Sequence, residues 1–157
     1  MLERKIPTYV ASPYGFADST RSWYYHTFIP LLEQHVEVLD PWVEVPSTLS
    51  ADASATDRWL ELGCRHLDNI KRNARLLVAG LDQEPPDTGT VVELAWAAAH
   101  CVPVVAYRSD LRTSGEDGLK YNLMIGSAIR RSGGVEVSDL TSLEEQVVRY
   151  AAALADK

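Results

Sequence analysis

Cysteine is scarce in this chain: two in 157 residues, Cys64 and Cys101. They lie far apart and form no CxxC pair, which removes the usual zinc and dithiol redox motifs. Both fall in stretches patterned as helix, and the expectation is two buried free thiols in a reducing compartment. Positive charge is also in short supply. Fifteen Lys and Arg against 22 Asp and Glu leave a formal net charge of −7 at pH 7. A nucleic-acid polymer would favour a basic face, so it is excluded as the expected partner. A single nucleoside or nucleotide needs only local contacts and stays open. No apolar run approaches the length of a membrane span, and no signal-type apolar segment opens the chain. A cytoplasmic protein with no membrane partner is therefore expected. Phosphate-binding glycine motifs are missing as well: there is no GxGxxG, no Walker A loop and no nucleophile elbow. No Ser, Cys and His arrangement stands out as a triad, and no repeat or low-complexity segment is seen.

What is present fits one domain over residues 1–157. Hydrophobic residues at 46% against 24% charged give a globular rather than a disordered composition. The length is enough for a core of its own. Strand and helix patterns alternate. Strands are read at Ile6–Ala11, Val36–Leu39, Leu76–Leu81, Val102–Tyr107 and Gly134–Val137. Helices are read from Asp18 or Ser19 to about Gln34, from about Asp52 to Asn73, over Thr88–His100, near Leu123–Arg130 and over Ser142–Ala155. The third and fourth strands are continuously apolar, which marks a parallel sheet covered on both faces. The expected architecture is a flavodoxin-like or Rossmann-like doubly wound five-stranded α/β sheet. Ligands in such sheets bind beyond the carboxyl ends of the strands. The loops of interest are then Ser12–Asp18, Asp40–Pro46, Asp82–Gly89 and Arg108–Tyr121.

The most informative stretch is Glu84-Pro85-Pro86-Asp87-Thr88-Gly89-Thr90-Val91-Val92-Glu93-Leu94-Ala95-Trp96-Ala97-Ala98-Ala99. Asp87 stands at a loop tip, and Glu93 lies inside an otherwise apolar helix. A carboxylate in that company costs free energy unless it is paired or used. The bland alternative is an anion placed to suit the helix macrodipole. Tyr9 on the first strand is either ordinary core or a phenol partnered by a carboxylate at the same sheet edge. Asn122 is either an N-cap or a ligand contact. The aromatics Trp23, Tyr24, Tyr25, Trp42 and Tyr14 could stack on a planar base, although core and subunit interface explain most of them better.

These pieces together resemble the nucleoside 2-deoxyribosyltransferase family, in order and over most of the chain. Tyr9-Val10-Ala11-Ser12-Pro13-Tyr14-Gly15-Phe16 looks like the family's opening Tyr-Leu-Ala-(Gly/Ser)-Pro segment. Asn69-Ile70-Lys71 fits the unit before the acid loop. Asp87 to Ala95 is similar to the Asp-x-Gly-x-x-x-Glu-(Leu/Val)-Gly signature. Val102-Pro103-Val104 and Ser109-Asp110-Leu111-Arg112 fit the next strand and loop, and Asn122-Leu123-Met124 fits the family's Asn-Leu-Met. The resemblance implies a double displacement at C1′ of a 2′-deoxynucleoside, with Glu93 as nucleophile and Tyr9 holding its carboxylate. Asp87 would sit beside sugar and base. Asn122 and Met124 would reach in from a neighbouring subunit, so a homodimer or higher homo-oligomer is implied. Tyr14, Phe16 and Gly89 belong to the same substrate-binding segments. The partners implied are a deoxynucleoside donor and a free nucleobase acceptor, with no cofactor and no metal.

Two departures stand out. Where many members carry an Asp that helps protonate the departing base, this chain reads His66-Leu67-Asp68-Asn69-Ile70. His66 takes the position and could act as acid or base contact. Asp68 is the alternative, but two helical residues turn it about 200° away. The other departure, Ala95 for the usual Gly, is small. A related reading keeps fold and nucleophile but makes the chain an N-glycosidase of nucleoside 5′-monophosphates. That requires Arg21, Arg108 and Arg112 to converge on a phosphate. A non-catalytic nucleotide-sensing domain is the third reading.

Overall fold

The computed structural model describes residues 5–43 and 52–155. Residues 44–46 of the expected Asp40–Pro46 loop lie outside this range. Within the described residues five strands run β1 Pro7–Ala11, β2 Glu37–Leu39, β3 Leu76–Gly80, β4 Val104–Tyr107 and β5 Val135–Val137. All neighbours pair in parallel, in the order β2-β1-β3-β4-β5. This is the flavodoxin-like order, and its switch point falls between β1 and β3. Among the described residues, six α-helices connect or flank the strands: α1 Asp18–Trp23, α2 Ile29–Glu33, α3 Ala55–Arg72, α4 Thr88–Ala99, α5 Leu123–Arg131 and α6 Leu140–Ala155. Among the described residues, no helix is long and apolar enough to cross a membrane.

Strand alternation divides the core into two layers. Val10, Val78, Val105 and Tyr107 face α2 and α6, together with Tyr24, Phe28, Leu143 and Val147. Tyr9, Ala11, Leu77, Ala79, Val104 and Ala106 face the other way, against Ile70 of α3, Leu94 and Ala97 of α4, and Ile125 of α5. The continuous apolar runs of β3 and β4 are therefore explained by burial on both faces.

Three expectations need correction. The helix expected from Asp18 to Gln34 is interrupted by a π-helical segment at Tyr24–Phe28, although the backbone stays right-handed through both junctions. Pro30 supplies the reason. It has no N–H, and its ring crowds the carbonyl four residues back, so the widened turn just before it relieves the clash. The fourth strand starts at Val104 rather than Val102; the Pro103 carbonyl still accepts from Leu77 N–H at 3.0 Å. Neither cysteine is buried. Cys64 is on α3, but Cys101 lies just past the end of α4, not within it.

Cys101 ends α4 in the left-handed region, at φ 59°. Val102 N–H reaches back to Ala97 O at 2.9 Å and Cys101 N–H to Ala98 O at 3.3 Å. This is a Schellman stop, in which glycine is the usual residue. A side chain here costs about 1–2 kcal/mol, against about 0.5–1 kcal/mol for the extra unfolded-state freedom of glycine. Cys101→Gly is expected to stabilise the protein by about 0.5–1 kcal/mol. The measurement is urea unfolding, with a higher midpoint and an unchanged slope.

Candidate functional site

The start of α4 fixes the geometry. Asp87 is its N-cap, and the carboxylate Oδ2 accepts from Thr90 N–H at 2.8 Å and from the Thr90 hydroxyl at 3.0 Å. Gly89 sits within that first turn, where an added Cβ would come 3.2 Å from Asp87 Oδ2. Six residues after the cap, Glu93 turns inward to β1. Tyr9, fully buried, donates its hydroxyl to Glu93 Oε1 at 2.6 Å. Burial raises the Glu93 pKa most, the Tyr9 hydrogen bond opposes this, and the negative Asp87 adds to the rise, for a net value of about 7. A carboxyl that titrates near neutrality in a cleft is a candidate for chemistry.

Glu93 opens on a cavity of about 490 Å³ between α3 and α4. That is within the roughly 300–1,000 Å³ range of small-molecule sites. His66, Trp59, Leu60 and Cys64 of α3 form one wall; Thr88, Gly89 and Val92 of α4 form the other. The walls are tied together by the Trp96 indole N–H, which donates to Leu67 O at 2.9 Å. The His66 ring meets Tyr9 edge-on, with centroids 6.5 Å apart. Asp68 is exposed and pairs with Arg72 at 3.5 Å, so it does not join this wall. Trp59 and Leu60 escaped the sequence reading although a signal was there. Trp59, Gly63, His66 and Ile70 make a stripe at helical spacing, and both Trp59 and Leu60 remain more than 60% exposed at the cavity.

Asn122 and Met124 stand elsewhere. They line a second cavity of about 650 Å³ between α4 and α5, with Pro86, Val91 and Ile125. Thr88 and Val92 border both cavities. Within one chain Asn122 thus faces a different space from Glu93. Its Oδ1 caps α5 by accepting from Met124 N–H at 2.9 Å.

Two aromatic residues of the expected substrate-binding segments line neither cavity. Tyr14 is buried in the core. Its ring lies against Gly80, where any Cβ would come within 2.4 Å of it, and packs on Trp23 and Phe28 in the α2–α6 layer. Phe16 is 68% exposed and stacks edge-on against Trp42 at 4.4 Å, beyond the carboxyl end of β1. It lines neither cavity.

A family model for nucleoside 2-deoxyribosyltransferase matches residues 8–124. The chain belongs to this family. The nucleoside 2-deoxyribosyltransferase match takes in Tyr9, His66, Asp87, Glu93 and Asn122, and ends at Met124. Solved structures agree on the fold. A conserved protein from Enterococcus faecalis V583 aligns at TM-score 0.70 and 22% identity, over 92% of this chain and 98% of that one. A 2-deoxyribosyltransferase from Bacillus psychrosaccharolyticus aligns at 0.64 and 20%, over 88% and 90%. The CMP N-glycosidase of Clostridium botulinum aligns at 0.55 and 16%, over 90% and 97%. No curated protein sequence matches the chain.

The three arginines considered for a phosphate are each engaged within the protein. Arg21 bonds Asp18 and the Gly15 and Phe16 carbonyls. Arg112 pairs with Asp110. Arg108 is fully buried.

The raised Glu93 pKa has a consequence for stability. In the unfolded chain the carboxyl ionises in its ordinary range; in the folded protein it resists ionisation until about pH 7. The folded state therefore carries no penalty at low pH and accumulates one as pH rises through that window. The full penalty is about 3 kcal/mol. Glu93→Gln is expected to match the parent's stability near pH 4 and to exceed it by up to about 3 kcal/mol at pH 8. Denaturant titration at the two pH values checks this.

Proposed function

We propose that the chain is a nucleoside 2-deoxyribosyltransferase acting through a covalent 2-deoxyribosyl ester of Glu93. The observation that carries this reading is a buried carboxylate, held by Tyr9 at 2.6 Å and facing a cavity, inside the family match. The Glu93 carboxylate attacks C1′ of the donor. The C1′–N bond breaks, and its electron pair leaves with the base, which takes up a proton. An incoming base then attacks C1′, displaces Glu93 and loses a proton. Two inversions at one carbon retain the starting configuration. Tyr9 orients the nucleophile, and Asp87 positions sugar and base. His66, on the wall of the same cavity, supplies the proton contact to the leaving base. The chain works as one catalytic domain in the cytoplasm. Asn122 and Met124 serve the site of a neighbouring copy, which makes the active form a homodimer or a multiple of one.

Incubation with deoxyinosine and adenine tests the reaction. Deoxyadenosine and hypoxanthine are the expected products, and Glu93→Gln is expected to lose at least about 10³-fold in rate. Base release without exchange would make the chain a hydrolase, and preference for a nucleoside 5′-phosphate would move it to the glycosidase reading. Because the nucleophile must be ionised, the rising limb of kcat/KM against pH is expected to have its midpoint near 7. His66→Ala is expected to slow a purine donor about 10²-fold or more. An unchanged rate would remove His66 from the mechanism.

A further inference from the structure

We propose that Arg108 is a positioning residue: its guanidinium joins the loop carrying Asp87 to the loop that ends at Asn122. The proposal rests on the transferase reading for its effect on rate, but its geometry stands independently. Arg108 follows β4 directly and is fully buried. Nη1 donates to Leu81 O at 2.7 Å and to Gln83 O at 3.1 Å. Nη2 donates to the Glu84 carboxylate at 2.9 Å and to Arg112 O at 3.1 Å. The guanidinium carbon lies 5.6 Å from the centre of the Tyr121 ring, and Tyr121 precedes Asn122. Neutralising a buried cation would need Glu84 alone. Three of the four bonds go instead to backbone carbonyls on two loops, which fixes position rather than charge. The tie is reciprocated. Asp82 accepts from the Ser109 and Asp110 N–H groups, drawing the same two loops together.

Only Pro85 and Pro86 separate Glu84 from Asp87, so this joint sets where the Asp87 carboxylate lies over α4. The titratable groups facing Glu93 or its cavity are Tyr9 on β1, Cys64 and His66 on α3 and Asp87 at the cap of α4. Of these only Asp87 stands on the tied loop. If the joint loosens, Asp87 drifts from Glu93, and the nucleophile loses both its neighbour's alignment and its repulsion.

Arg108→Lys in the full chain tests this, because an ammonium keeps the charge but cannot span both loops with a planar fork. For base exchange, kcat is expected to fall about tenfold or more with KM within about threefold. In parallel, the Glu93 carboxyl, followed by carbon NMR, is expected to titrate at a lower pH than in the parent. A folded Arg108→Lys protein with the parent's kcat and titration midpoint overturns the proposal, even where its thermal stability has dropped. Should the lysine variant not fold, Glu84→Gln takes its place, expected to shift both readouts in the same direction by less; parental values overturn the proposal equally. If the parent shows no exchange, the transferase reading fails while the NMR titration still decides the role of Arg108.

Discussion

A carboxylate buried beside a tyrosine hydroxyl organises this molecule. Glu93 and Tyr9 are 84 residues apart, yet their 2.6 Å hydrogen bond requires α4 to lie over β1. The sheet order makes that so. β1 sits between β2 and β3, and the helix that follows β3 crosses back over the neighbouring strand. The phenol hydroxyl is one of the few compensations for removing the carboxylate from water. It is not enough to restore an ordinary carboxylate, and the nearby Asp87 adds repulsion. The folded protein thus tolerates a strained ionisation at one point, which is the usual signature of a group kept for chemistry rather than for stability.

The carboxyl edge of the sheet is arranged around that point by opposite charges used on backbone. Asp82 accepts amide hydrogens of the loop after β4, and Arg108 donates to carbonyls of the loop after β3. Loops on a protein surface ordinarily satisfy their polar backbone with water. Here charged side chains replace water at several of those groups, and this makes the edge less adaptable than its loop character implies.

Much of the fold was legible because apolar periodicity reports burial directly. The doubly buried β3 and β4 read as unbroken apolar runs, and all five strands were found. The acid pair was legible for a different reason: Glu93 contradicts its surroundings, and a local contradiction is visible in sequence. What periodicity does not report is which distant residue meets a loop. Tyr14 reads as a loop aromatic, and only the missing side chain of Gly80, 66 residues later, makes it core. Cys64 reads as buried because free cysteines usually are, yet it falls on a face that borders a cavity. Asn122 kept both of its readings, since the helix cap uses its carbonyl oxygen and leaves the amide donors for another partner.

The histidine at position 66 gains sense from the same electrostatics. Glu93 already faces one carboxylate, and that neighbour raises its pKa. A second acid on the α3 wall would add another negative charge to the same cavity and push ionisation of Glu93 higher still. An imidazole there adds no negative charge, and in its protonated form it favours the carboxylate. Under the transferase reading both groups are needed at once, an ionised Glu93 and a proton for the departing base. A carboxyl titrating near 7 beside an imidazole wall residue brings a candidate base and a candidate proton donor to the same cavity. The site then depends on two groups placed so that each supports the charge state the other requires.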